Sequence, residues 1–170
     1  MSPEAATQPF KYDASLEETE IDAAYENPSS GSVAAVLCDV VPLGLMTQKD
    51  PITGVEKDVF KVDLILQIEE TSSKGYRFTP RRRCNLSLAK RATLRPIYEA
   101  LVGRAVTQDE ETGKTKVSIK TLIGLIGKSV LLNLGPSENG RYMNILGVMP
   151  LPKGTPAVQV ENYTRVRDRQ

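Results

Sequence analysis

A mainly β fold of five strands, with a helix between the third and the fourth, is predicted by three features of the 170-residue sequence. The run VFKVDLILQIEE alternates apolar and polar residues cleanly, the period-2 pattern of a half-buried strand. Short apolar runs elsewhere are parted by turn formers such as Asp50-Pro51, Thr53-Gly54 and the stretch GPSENG. Between the third and fourth runs the spacing changes to that of a helix.

In order, the first strand is VAAVLCDVV at 33–41, closed by Pro42 and followed by a polar loop, TQKDPITGVEKD. In the second, Phe60, Val62, Leu64, Leu66 and Ile68 share one face, and Lys61, Asp63, Ile65, Gln67 and Glu69 the other. TSSKG turns the chain, and residues 76–86 return antiparallel as the third strand. The helix has Thr93 as its cap and Pro96 in its first turn, where a missing N–H costs little. Leu94, Ile97, Tyr98 and Leu101 form its apolar face, and Gly103 ends it. After a polar loop, SIKTLIGLIG reads as a short second helix capped by Ser118. KSVLLNLG and RYMNILGVM are strands four and five.

This succession is that of an OB-fold-like barrel, with a generic α+β sheet domain as the competing architecture. It occupies residues 33–154. Residues 1–32 read as an acidic, mostly disordered arm, and residues 155–170 as a basic, flexible tail.

Composition excludes several functions. There is no histidine, which removes the commonest general base and metal ligand. Two separated cysteines, Cys38 and Cys84, make neither a zinc site nor a disulfide framework; they read as buried thiols in a reducing cytoplasm. No stretch is long and apolar enough to span a membrane. GLIGKS at 124–129 lacks the first glycine of a phosphate loop, since position 122 is Leu122. A non-enzymatic protein, without cofactor or metal, is expected.

Charge is the informative feature. The formal net charge of +1 conceals an arm of seven acids and one base in residues 1–32, against nine bases and one acid in residues 71–104. The densest part is TPRRRCNLSLAKRATLRP. Guanidinium groups grip phosphate oxygens in pairs. In an OB-fold the ligand lies across strands two and three, framed by the loops joining strands one to two and four to five. The expected nucleic-acid contacts are therefore Arg77, Arg81, Arg82, Arg83, Lys90 and Arg91 for phosphates and Tyr76 and Phe78 for stacking. Lys49, Lys57 and Lys61 add charge from the facing loop and strand. Strict alternation from Cys84 and Leu86 turns Arg81 and Arg83 outward but Arg82 inward, a costly direction unless the strand bulges or ends there. With few aromatic residues and no tryptophan, phosphate contacts have to dominate and binding has to be salt-dependent.

The segments NLSLAKRATLRPIYEALVGRAVTQDE, LIGKSVLLNL and GRYMNILGVMPLPKG resemble small replication-associated proteins of bacteriophages and prophages. The matching positions are Ser87 and Leu88, Leu94 and Arg95, Gly103 and Arg104, Gly127 and Lys128, and residues 150–154. That resemblance implies an OB-fold single-stranded DNA-binding protein of replication or recombination, acting in the bacterial host cytoplasm. DNA contact would be carried by Arg81, Arg82 and Arg83, and the chain would be a possible homo-oligomer. Many bacterial single-strand binders end in an acidic tip, whereas this chain ends TRVRDRQ and carries its acids at the other end. The arm is therefore expected to compete for the basic groove or to recruit replication or recombination proteins. A different reading of the same charge is a protein-interaction or virion-associated structural module whose basic face meets an acidic partner.

Overall fold

The structure, a computed structural model, describes residues 26–169; the acidic arm, apart from its last residues, lies outside them. Five strands form one antiparallel sheet: β1 Gly31–Lys49, β2 Glu56–Ile68, β3 Arg81–Asn85, β4 Ser129–Pro136 and β5 Met143–Pro150. Their order is β3-β2-β1-β4-β5, so β3 and β5 are the two edges and the sheet is open between them. Helix α1, Leu94–Val102, follows β3 and packs against β5 and β4. Two single-turn helices, α2 Gln108–Thr112 and α3 Ile119–Ile123, lie between α1 and β4.

The core lies between one face of the sheet and the helices. Val62, Leu64, Leu66 and Ile68 of β2 meet Leu37 and Val40 of β1, Cys84 of β3, and Val130, Leu132 and Leu134 of β4. Leu94, Ile97, Tyr98 and Leu101 of α1 close this layer, the face expected from their spacing. Gly103 ends α1 in the left-handed conformation, φ 79°, with its N–H on the Glu99 carbonyl. Thr93 is itself helical and makes no side-chain cap, unlike the expectation for it. Ser118 does cap α3, accepting from the Thr121 N–H at 3.1 Å.

β1 is far longer than expected. Half of the polar loop predicted after Pro42 is strand, and only residues 50–55 interrupt the β1–β2 hairpin. Pro42 is tolerated because β1 is irregular there, with register breaks between Leu37 and Asp39 and between Pro42 and Gly44. The first break sets Cys38 aside as an extra residue, with its thiol on the Ile65 carbonyl at 3.3 Å. It also switches the inward set from Ala35 and Leu37 to Val40, leaving the Asp39 carboxylate on the outer face.

That outer face is covered by the end of the chain. Residues 158–166 cross it, with Val158 bonded to Ser129 of β4, Glu161 to Gln67 of β2, and Tyr163, Arg165 and Val166 to Asp39 of β1. The expected flexible tail is a strap. Its bonds are polar, between side chains or between a side chain and the backbone, so no apolar pattern announced it. Asp39 is 1% exposed, yet it accepts from the Tyr163 hydroxyl at 2.9 Å, Arg165 Nε at 3.0 Å and the Val166 N–H at 2.8 Å. Burial pushes the Asp39 pKa up, but the hydrogen bonds from Val166, Arg165, Tyr163 and Val40 outweigh it and leave the carboxyl below its usual value.

Candidate nucleic-acid interface

β3 is five residues long and carries three arginines in a row, so alternation divides them between the two sides of the sheet. Its register with β2 sets Arg81 opposite Ile65, Arg82 opposite Leu64 and Arg83 opposite Asp63. Arg82 thus shares the inward side with Leu64 and Cys84, as strict alternation requires. It is nonetheless exposed, because β3 is an edge and no described strand pairs with its far side.

The outer side is built around Asp63. Its carboxylate is 4% exposed and takes a two-pronged pair from Arg83, Nε to Oδ1 at 2.9 Å and Nη2 to Oδ2 at 3.2 Å. Arg81 Nη1 lies 3.7 Å from the same Oδ2. The hydrogen bond and the charge of Asp63 raise the Arg83 pKa above its ordinary value. Lys61 extends this row and donates to Gln48 Oε1 at 3.0 Å and Asn85 Oδ1 at 2.8 Å. Arg81 and Arg83 keep 67% and 52% exposure, so their donors still reach solvent beside the acid they hold.

The inward side opens into a seam. Arg82 of β3, Lys90 and Arg91 of the loop before α1, Pro96 and Ile97 of α1, and Leu146 and Val148 of β5 line a cavity of about 340 Å³. Three cations face apolar walls there, and among the described residues no carboxylate joins the lining. β5 is irregular where it lines the seam: its register with β4 breaks between Asn133 and Leu134, which sets Leu146 aside. Leu146 is 63% exposed and lies over Gly135, in space that a side chain at that position would occupy.

The remaining expected contacts are scattered. Arg77 is 16% exposed and held by the strap, donating to the Gln159 carbonyl at 2.9 Å and pairing with Glu161 at 3.2 Å. Phe78 packs against the core, while Tyr76 is 70% exposed beside the strap. Lys49 and Lys57 are exposed near the tip of the hairpin, among Leu45, Ile52 and Val55, which are also exposed. Comparison with protein-family models, curated proteins and solved structures finds no match. The chemistry is therefore argued from these side chains alone.

What the geometry offers is anion binding on both sides of a short edge strand, with an apolar surface beside the cations on one side only. The cysteines stand apart from it: burial pushes the Cys84 thiol up to about 11 and the Cys38 thiol up to about 12, so neither is a thiolate at neutral pH. No cluster able to hold a metal ion occurs among the described residues. None of their helices is long and apolar enough to cross a membrane. Sequence reasoning missed the apolar half of the seam, Leu146 and Val148, because their role depends on which edge β5 occupies.

Proposed function

We propose that the chain binds single-stranded nucleic acid, DNA in the first place, along β3 and into the seam between β3 and β5. The observation that carries this reading is the convergence of Arg82, Lys90 and Arg91 on a mixed apolar cavity that, among the described residues, no carboxylate lines. Phosphates answer the cations, and an unstacked base answers Leu146, Val148 and Pro96; duplex DNA keeps its bases stacked and cannot use the apolar part. Arg81, Arg83 and Lys61 continue the cationic track on the outer side, and Lys49 and Lys57 extend it along the hairpin.

The strand order supports the finer reading of the fold. An OB barrel cut open between its third and fifth strands gives the order β3-β2-β1-β4-β5, and its ligand runs beside strands two and three. A role in phage replication or recombination follows only from the resemblance described above; the expectation that the protein is not an enzyme rests on the missing histidine and the two separated cysteines.

The test is a titration of labelled oligo-dT and of duplex DNA, followed by fluorescence anisotropy at two salt concentrations. The single strand is expected to bind more tightly, with affinity falling steeply as salt rises. Absence of binding at low salt retires the proposal and leaves the basic face to an acidic protein partner.

A further inference from the structure

The seam has a neighbour of opposite charge in the same chain. Residues 26–29 bridge the two loops that lead into β3 and β5, the strands on either side of it. The Glu26 carboxylate accepts from Ser73, N at 3.0 Å and Oγ at 2.7 Å, in the loop that leads to β3. Asn27 Nδ2 donates to the Arg141 carbonyl at 2.7 Å, in the loop that leads to β5. Ser29 adds a bond to Glu70 at 3.0 Å from its N–H. Twenty-five residues precede this crossing, with six acids (Glu4, Asp13, Glu17, Glu18, Glu20, Asp22) against one base, Lys11.

Length and position fit the cavity. Arg82 lies nine residues beyond Ser73 and Leu146 five beyond Arg141, at most roughly 30 Å and roughly 17 Å away at about 3.3 Å per residue. Asp22 to Asp13 lie four to thirteen residues ahead of Glu26, a reach of roughly 13–43 Å when extended. The same segment carries Leu16, Ile21 and Tyr25 between its acids, so it matches the apolar wall as well as the cations.

We propose that residues 13–25 are the resident occupant of the seam, where their carboxylates take the places of nucleic-acid phosphates. The competition with nucleic acid rests on the proposed function; the occupancy itself does not. A chain bound this way releases the seam only to a polyanion strong enough to displace its own segment. Bound nucleic acid in turn frees an acidic, partly apolar stretch for other proteins.

The test uses the full chain with Asp13→Asn, Glu17→Gln, Glu18→Gln, Glu20→Gln and Asp22→Asn together. At low salt this variant is expected to bind a labelled peptide of residues 1–25, and to lose it when Arg82→Gln, Lys90→Gln and Arg91→Gln are added. It is also expected to bind oligo-dT about tenfold more tightly than the wild type, with the difference fading at high salt. A peptide that does not bind, with equal oligo-dT affinity for both chains, overturns the inference and leaves the DNA-binding proposal standing. Peptide binding without any oligo-dT binding supports the occupancy and sinks the DNA-binding proposal. A wild-type dimer that the neutralised variant no longer forms puts a neighbour's segment in the seam and overturns the intramolecular form.

Discussion

Arg81 and Arg83 stand over a buried carboxylate on one side of β3, whereas Arg82, between them in sequence, stands over an open seam with no carboxylate among the described residues of its lining. The same residue type at consecutive positions thus has two surroundings. On the outer side the guanidinium groups are partly spent on Asp63 and fixed in direction by it. On the inner side, among the described residues, Arg82 meets no carboxylate and sits beside apolar surface. Cation counts along the sequence cannot tell these apart, and the difference decides which side is the stronger anion site.

The largest expected effect follows from that difference. Replacing Arg82, Lys90 and Arg91 together by glutamine removes three phosphate contacts. This should weaken oligo-dT binding about a hundredfold near 0.1 M salt and lower the slope of log K against log salt by about 2. Replacing Arg81 and Arg83 by glutamine should cost affinity by a smaller factor, about tenfold or less, because Asp63 already offsets part of their charge. The same pair should also lower the melting temperature, since it leaves Asp63 buried without its partners. Equal losses of affinity from the two sets break the comparison, and anisotropy titrations with thermal melts read both.

Acid provides the next test, because each side of the sheet is fastened by a carboxylate. The outer strap hangs on Asp39. On the core side, the Arg104 pair and the Thr107 backbone N–H hold Glu110 down to about 2, with help from the Tyr98 hydroxyl of α1. A carboxyl with a folded-state pKa below its unfolded value contributes stability that is whole above about 4 and is lost as pH falls through the folded value. The melting temperature should therefore hold from pH 7 to about pH 5 and fall below about 4. Glu110→Gln and Asp39→Asn should each flatten part of that fall.

The smallest expected effect is at the rim. Gly135→Ala should displace Leu146 from its position and reshape the apolar wall of the seam. Oligo-dT affinity should drop by about twofold to fivefold with the salt slope unchanged, because no cation is touched. A change in slope would tie Leu146 to the electrostatics and blur the distinction between wall and cations.

Much of the fold was legible. The alternation of β2, the face of α1, the Gly103 stop and the Ser118 cap were all readable from spacing and from the chemistry of single residues. Helix α2 was missed although its signal was present: Thr107 and Glu110 in TQDE form a capping box, each bonding the other's backbone N–H. The continuation of β1 through Pro42 was not legible, because a bulge has no residue signature of its own. At the candidate site the inward register of Arg82 was readable, but its exposure was not. Exposure depends on β3 being an edge, a property of topology rather than of any one residue.

The strap has one more implication, for the making of the protein. Its partners, Asp39, Gln67 and Arg77, precede it by 82 to 127 residues. During synthesis the whole sheet can pair and bury its inner face while the other face waits, because residues 158–166 come after all five strands in the chain. Until residues 163–165 emerge, Asp39 has neither of its side-chain partners from the strap. A chain truncated by a dozen residues should form its sheet and still be left with a bare polar face, open to whatever meets it first.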